Sequence, residues 1–373
     1  MPIPLAAALL DGQGGQLQSL DITLEEDGST IGLMLPKGTP RPLLSVARGF
    51  SAPIRIEREM TQDEQLTLAR TETDPFNRWD LLQGLLRTQI LGATYASAPD
   101  NPALIDAVAS AAETAASSDP AFAALLLRLP EVGELFLEHV PANPGNLAKT
   151  RKAMKAMLAA RLSTFITATL EAPAPRPFKP DAAQAGVRAL RSACMDLAAH
   201  DGLLATLLPE RFSNATSMTE QLAALSALVN APTGGGAALE AFYTQWKDNP
   251  LVMDKWFSVQ ARAASMEQIK ALRAHPDFDL KNPNRVRSLV AVFAVYNHAE
   301  FHNHDGNGHA FLAEMVREVD PLNPALAARL LTAFEQWRSL EPESKKNAQA
   351  TLAALNESQL SQNVKDILVR TIG

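Results

Sequence analysis

Four of the chain's seven histidines fall in one stretch, HAEFHNHDGNGHA, at positions 298, 302, 304 and 309. His298 and His302 are four residues apart, so on a helix both imidazoles share a face and could hold a zinc ion. A metallopeptidase site of that kind also needs a glutamate directly after the first histidine, to polarise the metal-bound water. Here the acid is Glu300, one position too late and so about 100° around the helix from where that water would sit. None of the seven histidines is followed by Glu, and His-Glu-x-x-His occurs nowhere in the chain. His298, His302, His304 and Asp305 could form a different metal site. However, the Asp-Gly-Asn-Gly run at 305–308 reads as a turn ending one helix and starting the next, and histidines beside such a turn are expected to be solvated or capping. No metal ligand and no catalytic residue is predicted.

Other reactive arrangements are missing as well. The sequence has no Gly-x-Ser-x-Gly and no Cys-x-x-Cys. Its single cysteine, Cys194, reads as a buried helix position, and a lone thiol suits a reducing compartment. With 46% hydrophobic and 20% charged residues, the 373-residue chain is expected to fold around a packed core. A formal net charge of -7 without a basic block argues against a nucleic-acid partner. There is no apolar run long enough to span a membrane and no basic, cleavable leader, so a cytoplasmic location is expected.

Residues 1–60 differ from the remainder. LQSLDITLEEDGSTIGLMLPKG and PLLSVARGFSAPIRIERE read as about four short strands divided by Gly and Pro turns. In IRIERE, Ile54 and Ile56 alternate with Arg55 and Glu57, the pattern of a half-buried strand. So few strands make only a partial, Ig-like β-sandwich. From residue 61 to 373 the periodicity is helical, with roughly fifteen helices. Seven Asx-Pro pairs mark helix starts: Asp74-Pro75, Asn101-Pro102, Asp119-Pro120, Asn143-Pro144, Asn249-Pro250, Asn282-Pro283 and Asn323-Pro324. In each, the Asx side chain can accept from an orphan amide, while proline at the first helical position gives up an N–H that would be unpaired anyway. So many helices joined by short loops exceed one bundle core. The expected fold is mainly α, a large irregular α-solenoid of armadillo/HEAT-like helix pairs preceded by the partial sandwich. The Pro-rich EAPAPRPFKPD and the GGG at 234–236 read as loops. Trp79, Trp246, Trp256 and Trp337 read as core anchors, and Arg78 and Asp80 as ties between the strand region and the first helices.

The segments FSAPIRIERE, DPFNRWDLLQ, NATSMTEQLAALSALV, QWKDNPLVMDKWFSVQA, NPNRVRSLVAVFA and FHNHDGNGHAFLAEMV resemble the C-terminal part of bacterial aminopeptidase N, a thermolysin-like zinc metallopeptidase family. The likeness runs over nearly the whole chain. It implies the later part of a small β-sandwich plus the helical domain that, in this family, caps the catalytic domain and encloses a chamber through which peptides reach zinc. The family's Gly-x-Met-Glu-Asn loop and its His-Glu-x-x-His are both absent here, so zinc would belong to a catalytic domain outside this chain, and this chain alone is expected to be inactive. By the same resemblance Arg287 and Arg329 correspond to substrate-channel residues, with Arg285 off the inward face and Ala325 standing where relatives often carry Gln. The implied partners are that catalytic domain and peptide substrates. Without the resemblance, the residues are equally those of a self-standing solenoid that binds peptides or proteins without catalysis.

Overall fold

The computed structural model describes every residue except Met1, Gly14, 26–29, Ile31, Leu33, Pro36, Pro40, Arg55 and Arg58. Three strands are present among the described residues: β1 (Ile3–Leu10), β2 (Gln16–Leu24) and β3 (Leu43–Val46). They form one antiparallel sheet in the order β2-β1-β3. The β1–β2 turn is closed by Asp11, whose Oδ1 accepts from the amides of Gln13 and Gly15 at 2.8 and 2.7 Å.

Part of the strand signal expected after β2 falls on 26–29, Ile31, Leu33 and Pro36, outside the described residues. The strand expected over IRIERE is not formed: Ile54, Ile56, Glu57 and Glu59 are irregular, and Arg55 and Arg58 lie outside the described residues. Pro53 has no amide to give a ladder, and the Ile54 amide turns back to Ala52 O at 3.0 Å. The alternation still reports burial. Ile54 and Ile56 both pack on the small core of Leu5, Ala47 and Ala52, with Ile22 and Leu24 beside them.

All seven Asx-Pro pairs open helices. The Asx Oδ accepts from a first-turn amide at Asn77, Leu104, Phe122, Asn146, Val252, Arg285 and Leu326. Among the described residues there are twenty α-helical segments, and several are single turns, such as Val132–Leu135 and Pro283–Val286. The chain is thus mostly helical, an α-solenoid of stacked helix pairs preceded by a small antiparallel sheet. EAPAPRPFKPD is a loop after the helix Ser163–Glu171, and Gly234 and Gly235 take positive φ in the turn before Gly236–Trp246.

The sheet is tied to the first helices by Asp74 and Asn77 rather than by Arg78 and Asp80. The Asp74 Oδ2 accepts from the Gly49 amide at 2.8 Å, and the Asn77 Nδ2 donates to Ser45 Oγ and Val46 O, both at 3.0 Å. Asp80 is exposed, and Arg78 is half-buried near the Glu72 carboxylate. Trp256 and Trp337 are buried as expected, whereas Trp79 and Trp246 are only half-buried. Cys194 is fully buried.

The chain divides into two compact units: Met1–Ala93 with Ser97–Leu129 and Lys179–Ala193, and Thr94–Ala96 with Pro130–Phe178 and Cys194–Gly373. The first contains the sheet and a helical core that includes Leu68, Leu86, Ile90, Leu104 and Val108. The second is built around Phe136, Phe257, Phe293, Phe301 and Phe334. The histidine stretch, the cleft beside it, Arg285, Arg287 and Arg329 all lie within the second unit. None of its helices, nor any other among the described residues, is long and apolar enough to cross a membrane.

Candidate functional site

His298, His302 and His309 are neither solvated nor simply capping. His302 and His309 are buried, and the His302 Nδ1 and His309 Nε2 share a hydrogen bond of 2.9 Å. His298 stacks on His302 at 5.8 Å and 5°, and Phe136 lies over both rings. Two glycines explain the burial. Gly306, at φ 70°, turns the chain back after His298–Phe301. At Gly308 a Cβ would overlap the Phe301 backbone, so only glycine lets the helix Asn307–Val319 approach closely enough to bring His309 against His302. Of the four histidines only His304 is exposed, and its Nε2 meets Glu341 Oε1 at 2.6 Å.

Burial disfavours the imidazolium form and pushes His298 and His309 down to about 4. It also holds His302 well below its ordinary value, with repulsion from the two neighbouring rings adding to the effect. All three are neutral near pH 7.

The stretch does not fit a zinc ion. His302 and His309 spend their facing nitrogens on each other. The Glu300 carboxylate is turned to the start of another helix, where its Oε1 accepts from the Met266 amide at 2.6 Å. Among the described residues no group of three or more His, Cys, Asp or Glu is arranged to hold a metal.

His298 also forms part of the wall of a cleft of about 560 Å³. A second wall is the helix Pro144–Arg161, which carries Lys149, Arg151, Lys152, Lys155 and Arg161 and no acid. Arg151, Lys152 and Lys155 reach the cleft. Arg151 is held by Pro130 O and Glu131 Oε1, both at 2.8 Å. The Lys155 ammonium bridges both oxygens of Asp196, at 2.9 and 2.7 Å. Desolvation would raise the Asp196 carboxyl, but Lys155, helped by His200 and Arg151, holds the group below the usual carboxylate range. His200, beside them, is pushed down to about 4 by burial and by the Lys155 charge. Across the cleft, the Arg262 guanidinium lies 4.0 Å above the Tyr296 ring. Nothing in the sequence links these groups: Lys155 and Asp196 are 41 residues apart.

Of the residues implied as channel-lining, Arg287 is exposed, its Nη1 3.0 Å from Asn284 Oδ1, and it begins a π-helical turn, Arg287–Ala291. Arg329 is exposed in Pro324–Leu331. Neither lines the cleft. Arg285 is buried instead, with Nε on Asp254 Oδ1 at 2.8 Å, Nη1 on Asp277 O, and its guanidinium 4.8 Å from the Phe257 ring. It braces three segments and faces no open space.

Stacked helix pairs behind a small antiparallel sheet, with no histidine–glutamate metal motif, define the class: an armadillo-type helical domain. Residues 62–373 match the family described as "Domain of unknown function (DUF3458_C) ARM repeats", and the chain belongs to that family. It is 37% identical to aminopeptidase N of Caulobacter vibrioides over 99% of this chain but 44% of that protein. It is 33% identical to aminopeptidase N of Escherichia coli over 84% of this chain and 37% of the relative. A crystal structure of Legionella pneumophila aminopeptidase A in complex with aspartic acid superposes over 100% of this chain and 45% of that one, with a TM-score of 0.84 and 28% identity. The chain therefore spans less than half the length of these relatives, and it is homologous to the C-terminal region of aminopeptidase N-type zinc metallopeptidases.

Proposed function

We propose that this chain is the non-catalytic C-terminal domain of a zinc aminopeptidase that removes N-terminal residues from peptides. In this reading it caps a catalytic domain supplied outside these 373 residues, and Arg287 and Arg329 line the route taken by the substrate. The observation that carries the proposal is the pattern of similarity: it covers 99% of this chain while accounting for 44% of the relative. The chemistry agrees, since the only histidine cluster is consumed by internal stacking. An exposed guanidinium on a rigid helical turn can attract a peptide carboxylate and donate two parallel hydrogen bonds to it or to backbone carbonyls.

The test is the coding sequence that precedes Met1. An in-frame segment encoding Gly-x-Met-Glu-Asn and His-Glu-x-x-His is the expected result. An in-frame stop immediately upstream, with a protein near 40 kDa in the source cells, would overturn the proposal in favour of a self-standing binding module.

A further inference from the structure

Two of the three described non-glycine residues with left-handed backbone belong to one turn, Ala47 at φ 58° and Phe50 at φ 54°. That region is disfavoured for any residue with a Cβ, most of all a bulky one, so it persists only where the surroundings impose it. Here they do. The Gly49 amide is held by Asp74 Oδ2 at 2.8 Å, and the Phe50 amide returns to Ala47 O at 3.1 Å. The Arg48 Nη1 donates to Gln16 Oε1 at 2.9 Å, and its Nη2 donates to Thr73 Oγ1. The ring that these bonds place goes mostly to solvent, with Phe50 57% exposed.

Phe50 does not stand alone. Its ring meets Phe76 edge-on at 5.0 Å, and Phe76 lies 6.1 Å from Trp79, one turn further along the helix Pro75–Tyr95. Phe76 is itself 38% exposed. Three aromatic rings thus form one apolar surface on the first unit, of the kind that anchors protein interfaces. A single exposed apolar residue is ordinary, whereas a strained turn that holds one aromatic against two others calls for a partner.

The position of the patch points to that partner. The Ala6 amide donates to Ser51 Oγ at 3.0 Å, so the turn lies against the N-terminal half of β1. In the proposed function the catalytic domain precedes residue 1 and therefore joins the chain at this strand, beside the three rings. It is also large: this chain accounts for 44% of the Caulobacter vibrioides relative.

We propose that Phe50, Phe76 and Trp79 are the surface on which the catalytic domain docks, through an apolar pocket of that domain that closes over the Phe50 ring. The inference rests on the proposed function and names a contact which that reading leaves open. The turn is already fixed before association, so the ring is presented with little further loss of conformational freedom.

The experiment is labelling of Phe50→Cys with N-ethylmaleimide, in the 373-residue chain and in the longer enzyme encoded with the upstream segment, read by mass spectrometry of the peptide that contains residue 50. The cysteine should label in the 373-residue chain and lose its labelling in the longer enzyme. Phe50→Gly removes the ring and relieves the backbone. It should leave the melting temperature of the 373-residue chain at or above the parent value and lower that of the longer enzyme. Equal labelling in both proteins, or a melting temperature that moves alike in both, would overturn the docking surface while the proposed function stands. Labelling of the 373-residue chain that falls as its concentration rises would give the patch to a second copy and overturn the inference as well. Absence of any longer enzyme would overturn both readings.

Discussion

The His302 Nδ1 and the His309 Nε2 face each other at 2.9 Å inside an aromatic enclosure, and the hydrogen bond between them needs one of the two facing nitrogens unprotonated. Protonating both would set two imidazolium rings against each other, a repulsion that the Asp305 carboxylate near His309 offsets only in part. The stack is therefore a structural element with a built-in sensitivity to acid.

Folding stability should fall as the solution is acidified. In the unfolded chain these histidines take up protons near pH 6.5, while in the folded chain His298 and His309 resist until about 4. Between those values the unfolded state binds more protons, so stability is complete above about pH 6.5 and declines towards pH 4. For fully buried His309 alone the loss is on the order of 3 kcal/mol. Urea denaturation at pH 7.5, 5.5 and 4.5 measures it; an unchanged midpoint between the first two would contradict the neutral stack.

Two glycines should respond in opposite directions to alanine. A Cβ on Gly133 would lie 2.9 Å from the His298 Nε2, a ring already fixed by its stack. Gly133→Ala is expected to destabilise by about 1–3 kcal/mol. Gly84, inside the helix Pro75–Tyr95, has nothing within 4 Å of its would-be Cβ. There Gly84→Ala should stabilise by about 0.5–1 kcal/mol. Thermal melts of the two variants against the parent chain decide both signs.

Asp74 does more than the other caps. Its Oδ1 accepts from the Asn77 amide, as any N-cap does, while its Oδ2 holds the Gly49 amide beside the sheet. Asn101→Ala should lower stability by about 1 kcal/mol. Asp74→Ala should lower it by about 0.5–1 kcal/mol more, since the Gly49 amide also loses its acceptor. Equal effects in denaturant titrations would show that the Gly49 contact contributes nothing.

Two arginines two residues apart should separate structure from function. Arg285→Ala strips Asp254 of its partner and empties a buried position, for which about 3–5 kcal/mol is expected. Arg287→Ala removes an exposed side chain and should change stability by less than about 0.5 kcal/mol. In an enzyme that includes the catalytic domain, Arg287→Ala should raise KM for peptides while the melting point stays in place. A melting point that falls as far as that of Arg285→Ala would make Arg287 a brace.

Local signals were legible in the sequence because their physics is local. Each Asx-Pro pair needs only its own three following residues to cap a helix, and all seven do so. The displaced acid in HAEFH likewise foretold a Glu300 aimed elsewhere, and it lies on the Met266 amide. What escaped was set by distant contacts. The turn glycine Gly308 was readable as a turn, but not as the point where a helix meets the Phe301 backbone and buries two histidines. Arg285 and Arg287 look alike in NPNRVRS; only the partners Asp254, from another helix, and Asp277, from a turn, make the first a brace. The described residues of IRIERE keep half-buried isoleucines without a strand, since burial follows side-chain pattern and a ladder needs a neighbour with amides to pair.

The most direct test of a non-catalytic domain is hydrolysis of an alanine chromogenic amide by the purified 373-residue chain with added zinc. The expected rate is that of buffer alone, with or without a chelator. Chelator-sensitive release of alanine by this chain would contradict the account, because it would require a metal-bound, activated water that its histidines do not assemble.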